Sequence, residues 1–187
     1  MPPSFLTPLR DFDPFQNRLC RDVRNGLSES VPASVHAASL APSQGVADAF
    51  LAEVTTPAVR IYIADRLSRY ALVLAAMESA GVDATERYTI AAMLWDQALF
   101  FEVHEVLEEK WHRSQGDERK MIQALIRAAG VYVHLEYGRR ESAEKMAKKA
   151  VQGLMAHGES VASPFDAEVL ARSLNDLTTP PPRLMRE

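Results

Sequence analysis

The run FFEVHEVLEEKWH, residues 100–112, carries an imidazole and a carboxylate at a spacing that suits chemistry. His104 and Glu108 are four residues apart, and in an α-helix that separation places two side chains on one face, one turn apart. Trp111 follows within the next turn. A neighbouring histidine and glutamate can exchange a proton, hold each other by a hydrogen bond, or bind a cation together. The sequence therefore predicts a polar site on this helix.

The same face of the predicted helix is otherwise apolar, which indicates that the pair is shielded from water. At about 100° per residue, Phe100 and Leu107 fall on the side of the pair. Since an unpaired buried carboxylate is costly, Glu108 would need a proton, a cation or a donor such as His104. Glu108 is thus a candidate general base. Three acids on the opposite flank are expected to face water: Glu102, Glu105 and Glu109.

His104 and Glu108 are also candidate ligands of a divalent metal ion. An imidazole nitrogen and a carboxylate oxygen one turn apart can clamp such an ion. His112 continues the four-residue spacing beyond Glu108. The segment reads HEVLE and lacks the second histidine of the zinc-protease helix, and the sequence also lacks the paired Glu-x-x-His segments of di-iron bundles. A metal site would therefore need further ligands from a neighbouring helix.

The next predicted helix, MIQALIRAAGVYVHLEYG, could supply further members of the site. If its polar stripe faces the preceding helix, Gln123 or His134 would meet the pair. Gly130 would then allow the two backbones to approach closely. If the stripe faces water instead, as the charge of Arg127 favours, these residues form a solvated face. The stripe recurs at steps of four, three and four: Gln123, Arg127, Gly130 and His134.

Apolar residues at three- and four-residue steps predict an all-α fold, a bundle of about five helices. Proline and glycine mark helix ends, as with Pro57 in the first turn and Gly81 beyond the last turn of one helix. No stretch of the sequence alternates in the manner of a β-strand. The five predicted helices cover residues 57–80, 83 or 84 to about 111, 118–137, 141 to about 157, and about 165–176.

Proline content divides the sequence into three parts. Residues 1–43 hold six of the eleven prolines and are expected to form an extended arm, with one short helix near 14–25. Residues 44–177 are expected to form the helical bundle domain. Residues 178–187 contain three prolines and are expected to form a loose tail.

Composition restricts the class of protein. Hydrophobic residues make up 47%, charged residues 25%, and the net charge is -4, which is typical of a soluble globular protein and does not favour nucleic-acid binding. The single cysteine excludes an intrachain disulfide and a thiolate metal cluster. Neither a secretory signal nor a membrane-spanning stretch is evident, so a cytoplasmic location is expected.

Three segments resemble the bacterial and archaeal family called domain of unknown function 309: FEVHEVLEEKW, KMIQALIRAAGVYVHLEYG and ESAEKM. The resemblance covers about residues 90–155, and the family signature His-x-x-x-Glu-x-x-Trp is matched by His104, Glu108 and Trp111. It implies an all-helical fold and extends interest to Gln123 and His134, which occupy the family's Gln and His positions. The family has no settled activity. The chain departs from the family pattern at three places: Arg127 replaces a Gln, Arg139 an Asn, and Ser142 a Gly.

Three functions are compatible with the predicted site of His104, Glu108, Trp111, Gln123 and His134. The leading hypothesis is a non-catalytic binding or assembly module, in which the polar network fixes helix packing, lines a site for a small-molecule ligand, or lies at a homodimer interface. The alternative is a metal-dependent, hydrolase-like enzyme with His104 and Glu108 as ligands. A third hypothesis is metal-free acid–base catalysis by Glu108.

Overall fold

The computed structural model describes residues 11–160 and 164–185, and all regular structure in those ranges is helical. The all-α expectation is therefore confirmed. None of the described helices is both long and apolar enough to cross a bilayer. The described α-helices are α1 (Arg18–His36), α2 (Ala41–Glu53), α3 (Pro57–Ala80), α4 (Arg87–Asp96), α5 (Phe100–Arg113), α6 (Gly116–Glu136), α7 (Arg140–His157) and α8 (Ala167–Asp176).

The chain forms two compact units, one ending at Glu86 and the other beginning at Arg87. The described part of the first unit holds α1 to α3, and that of the second holds α4 to α8. The expected boundary between residues 43 and 44 lies inside α2. The prediction of about five helices is too low. α1 was expected only as a short helix near residues 14–25, α2 was not among the predicted helices, and α4 and α5 were expected to be one helix.

Residues 11–43 are largely helical, although their prolines predicted an extended arm. Asn17 caps α1 by accepting a hydrogen bond from the backbone N–H of Cys20 at 3.1 Å, and the helix continues through Pro32. Serines share the buried side of α1 with aliphatic residues, which hid the helical period. Their hydroxyls are satisfied, since the Ser43 hydroxyl of α2 lies 2.7 Å from those of two serines of α1. The buried side includes Val23, Leu27, Ser30, Val31, Ser34 and Val35.

The helix predicted to reach about residue 111 is interrupted at Ala98. This residue has a φ of 54°, in the left-handed region, so the chain turns there and α5 begins at Phe100. Trp95, which precedes the turn, packs edge-on against both Phe100 and Tyr132, with ring centroids 5.2 Å apart in each pair. Alanine is the strongest helix former, so its presence at position 98 does not predict an interruption.

α6 and α7 approach each other closely through small residues. A Cβ atom on Gly153 of α7 would lie 2.7 Å from the Cβ of Ala124, and one on Gly130 of α6 would lie 2.5 Å from the sulfur of Met146. Both distances are shorter than a carbon atom tolerates. Gly153 requires glycine at the present helix separation because the opposing atom is the Cβ of Ala124, whereas at Gly130 the flexible side chain of Met146 can move away. Gly130 therefore permits close packing as expected, but the neighbouring helix is α7 and not α5.

The chain following α8 is bound to α4 at residues 182–185, where the prolines predicted a loose tail. The indole N–H of Trp95 donates to the carbonyl of Pro182 at 2.9 Å. The Asp96 carboxylate accepts the backbone N–H groups of Leu184 and Met185 at 2.8 and 2.9 Å. Proline prevents a helix here, but an extended segment can still donate its remaining N–H groups to a fixed carboxylate.

We expect Asp96→Ala to lower the free energy of unfolding by about 1–3 kcal/mol, because two part-buried backbone N–H groups lose a charged acceptor. Urea denaturation followed by circular dichroism would measure the change. Asp176→Ala, at an exposed carboxylate, is the matched control and should change stability by less than about 0.5 kcal/mol. Equal effects of the two substitutions would contradict a specific role for Asp96.

Candidate functional site

α5 packs through an aliphatic stripe of Val103, Val106 and Leu107, all fully buried. His104 and Glu108 lie at the edge of this stripe, and their side chains are 39% and 42% exposed. The pair is therefore half-buried, and it is not fully shielded from water as expected. These aliphatic residues determine which face of α5 is buried. His104 and Glu108 lie at the border between that face and solvent.

Trp111 contacts the beginning of the next helix. It is partly exposed, and the guanidinium of Arg119 in α6 lies 3.7 Å from its ring centroid. The imidazole of His112 lies edge-on to the indole, with centroids 5.1 Å apart. A guanidinium over an indole face is a favourable cation–π contact. Trp111 thus joins the end of α5 to the beginning of α6.

The acids expected to face water lie in three different environments. Glu102 is fully buried, with 0% exposure, and it is not left without a polar partner. Glu109 pairs with Arg87 of α4. The Glu105 side chain is 17% exposed and lies beside His104. The prediction that these three acids face water is therefore wrong. The buried face of α5 includes Glu102 as well as the aliphatic stripe, and it is not centred on the side of His104 and Glu108.

Imidazole and carboxylate groups follow one another along the accessible edge of α5. The Nδ1 atom of His104 lies 3.5 Å from Oε1 of Glu105, and its Nε2 atom lies 3.9 Å from Oε2 of Glu108. The other oxygen of Glu108 lies 3.8 Å from Nε2 of His112. One ligand atom from each of His104, Glu105 and Glu108 lies within 4.8 Å of the other two. These three side chains could hold one metal ion.

The neighbouring carboxylates raise the pKa of His104 above its ordinary value. The largest cause is the hydrogen bond to Glu105, which favours the charged imidazolium, and the negative charges of Glu105 and Glu108 act in the same direction. Partial burial of the ring opposes them. Because metal binding requires the neutral imidazole, a metal ion would have to displace this more strongly held proton.

Two further contacts fix the C-terminal half of α5. The ammonium of Lys110 lies 2.9 Å from Oε1 of Glu118, and the hydroxyl of Tyr88 donates to the same oxygen at 3.1 Å. The Lys110 hydrogen bond holds the pKa of Glu118 below its ordinary value. Burial, with the adjacent Glu118 charge, raises the pKa of Tyr88. These contacts join α4, α5 and α6 around the helix that carries the site.

The polar stripe of α6 does not add ligands to this group. Gln123 is exposed, as expected if the stripe faces water. His134 is partly buried, and burial, together with the charge of Arg139, lowers its pKa. It is not among the described ligand groups that lie within 4.8 Å of one another. Sequence spacing gave no sign of Glu105, since residues adjacent in a helix are not expected to share a face.

We expect His104→Gln to reduce stability more at acidic pH than at alkaline pH. A group with a raised pKa in the folded state stabilises the protein fully below its ordinary pKa, and this contribution is lost as the pH rises through the folded-state pKa. The His104 side chain is 39% exposed, so solvent screening should limit the difference to about 0.2–1 kcal/mol. Urea unfolding of both proteins at pH 5.5 and 8.5 would measure it. A larger loss at the alkaline pH would contradict the raised pKa.

The family model for the Domain of unknown function (DUF309) matches residues 88–146. The matched region covers nearly all of α4, then α5 and α6, and the first turns of α7. The chain matches no curated protein and no solved structure. The resemblance seen in the sequence over about residues 90–155 is thereby confirmed as far as residue 146, and residues 88–146, less than half of the chain, are similar to the DUF309 family.

Proposed function

We propose that the DUF309 region is a non-catalytic binding module whose α5 surface holds a divalent transition-metal ion. The observation that carries this proposal is the group of His104, Glu105 and Glu108, whose ligand atoms lie within 4.8 Å of one another on a solvent-accessible edge. Imidazole nitrogen combined with carboxylate oxygen suits Zn²⁺, Ni²⁺ or Co²⁺ better than Mg²⁺ or Ca²⁺, which prefer oxygen ligands alone.

The fixed backbone of α5 favours binding of a metal ion. His104 and Glu108 extend from consecutive turns of α5, whose backbone is fixed by its buried stripe, so little ordering is needed when an ion binds. His112 forms a second pair of the same spacing with Glu108. Because both pairs share Glu108, loss of its carboxylate should weaken binding more than loss of either imidazole.

Exposure favours binding over catalysis. Activation of a metal-bound water or stabilisation of a developing charge is strongest in an enclosed site of low dielectric constant. The side chains of His104 and Glu108 are about two-fifths exposed, so water screens their charges. A metal-dependent hydrolase is therefore less favoured than reversible binding.

Three protein ligands leave part of the coordination sphere of the ion open. A tetrahedral ion needs a fourth ligand, which could be water, a small-molecule ligand, or a side chain of a second copy of the chain. The last case would make the module a metal-dependent homodimer. Sedimentation velocity with and without the ion distinguishes that role from binding by a monomer.

We expect the tag-free chain to bind Zn²⁺ or Ni²⁺ in isothermal titration calorimetry, and Glu108→Gln to weaken binding at least about tenfold. His104→Gln should weaken it less, because the Glu108–His112 pair remains. His157→Gln is the matched control, since His157 lies 3.3 Å from Asp117 and is not part of the α5 group. Unchanged affinity in Glu108→Gln, or an equal loss in His157→Gln, would refute the assignment.

Proton competition should make the metal affinity rise with pH. Below the raised pKa of His104 each bound ion releases about one proton, so the dissociation constant should fall about tenfold per pH unit, and the fall should end above that pKa. Titrations at pH 5.5, 6.5, 7.5 and 8.5 would give the profile. An affinity independent of pH over this range would show that His104 is not a ligand.

A further inference from the structure

The outer face of α3 is apolar where a solvated helix face usually carries charged side chains. Ile61 and Leu72 are 54% and 53% exposed, and the exposed residues between them are alanine and serine. A single exposed aliphatic residue is ordinary, but a continuous apolar face indicates an interaction surface. At about 100° per residue these side chains fall within about 60° of the direction of Ser68. The outer face consists of Ile61, Ala64, Ser68, Ala71, Leu72 and Ala75.

Charged residues lie only at the border of this outer face. Asp65 and Arg69 pair with each other along α3 at 3.0 Å, so their charges cancel. Arg60 and Glu78 are both exposed and are 18 residues apart, which is five helical turns, so they project from the same side of α3. The guanidinium of Arg60 is held by two backbone carbonyls, each at 3.0 Å. Among the residues that the structure describes, the Glu78 side chain forms no hydrogen bond or ion pair.

We propose that the outer face of α3 binds the same face of a second copy of the chain, with the two helices antiparallel and the two-fold axis beside Ser68. In this register Arg60 lies opposite residue 76 of the second copy. Glu78 of that copy is about 3 Å further along the axis and on the same side, so the two opposite charges meet at both ends of the interface. In a parallel pair each Arg60 would instead lie level with the other Arg60.

Side-chain size is complementary in the same register. Ile61 lies opposite Ala75 of the second copy, and Leu72 lies opposite Ala64, so each large side chain meets a small one. Small residues allow the helix axes to approach to about 8 Å. Burial of the aliphatic side chains would drive association, and the charges at the ends would fix the orientation. The outer face shares no residue with the proposed metal site, so either proposal can fail without the other.

Sedimentation equilibrium of the full-length chain, with a chelator present, tests the proposal. The chelator prevents any metal-dependent association through α5. A single helix pair buries less surface than the roughly 1,200–2,000 Å² of stable interfaces, so we expect a monomer–dimer equilibrium with a dissociation constant on the order of 10–100 μM. A chain that stays monomeric up to about 500 μM would overturn the proposal and assign the outer face to a different partner.

Two arginine substitutions show whether the dimer forms through α3. Ser68→Arg places two like charges at the two-fold axis and should weaken association at least about tenfold. Gln152→Arg makes the same change of charge at an exposed position of α7 and should leave the dissociation constant within about twofold. Circular dichroism would show that both variants keep their helical content. Equal effects of the two substitutions would place the interface elsewhere and overturn the proposal.

Disulfide cross-linking tests the antiparallel orientation. Ser68→Cys should form a cross-linked dimer with oxidised glutathione, because the two copies of residue 68 face each other at the axis. Ala75→Cys should not, since the two copies of residue 75 would be about 21 Å apart along the helices. Cys20 is buried and serves as the background in both variants. Equally fast cross-linking of Ala75→Cys would indicate a parallel pair and overturn the proposal.

Discussion

Burial of Val103, Val106 and Leu107 decides how α5 is rotated about its own axis. Burying one such side chain contributes about 1.5–3 kcal/mol, whereas an exposed ion pair contributes about 0–1 kcal/mol. Three aliphatic side chains therefore outweigh any preference of the His104–Glu108 pair for shelter. The pair lies at the edge of the stripe because the aliphatic residues determine the rotation.

The rotation also determines what the other charged residues of α5 can do. Glu102 is carried into the interior, where a carboxylate must keep polar partners. Glu105 is carried toward His104, and the two form the closest contact of the candidate metal group, at 3.5 Å. Trp111 is only partly buried, and its ring contacts Arg119 of α6. Burial of the aliphatic stripe of α5 thus determines both which groups meet in the candidate site and how exposed they are.

The sequence predicted the helices that have clear signals at their ends. α6, α7 and α8 begin within two residues of their expected positions, and Asp166 caps α8 by accepting a hydrogen bond from the N–H of Val169. Gly81 ends α3 in the left-handed conformation, as its position indicated. These predictions succeeded because caps and glycine stops act locally, within about one turn of chain.

The features that the sequence missed depend on distant residues. The hydroxyls of Ser30 and Ser34 are tolerated inside α1 because Ser43 of another helix contacts both. Leu184 and Met185 are held against α4 because Asp96 accepts their backbone N–H groups from 88 and 89 residues away. For the site, spacing identified His104 and Glu108 as neighbours. It could not determine the rotation of their helix, because Val103 and Val106 lie on a different side of the helix from the pair and are also apolar.

The degree of exposure limits the chemistry available to α5. A buried ligand group would hold an ion strongly in a medium of low dielectric constant, but it would carry a desolvation cost of several kcal/mol per charge before the ion arrived. At two-fifths exposure His104 and Glu108 avoid most of that cost and remain open to solvent. The same exposure weakens each contact with the ion, because water competes for every ligand. A site of this kind is better suited to an ion that binds and leaves than to one retained permanently, which is the behaviour required of a reversible binding module.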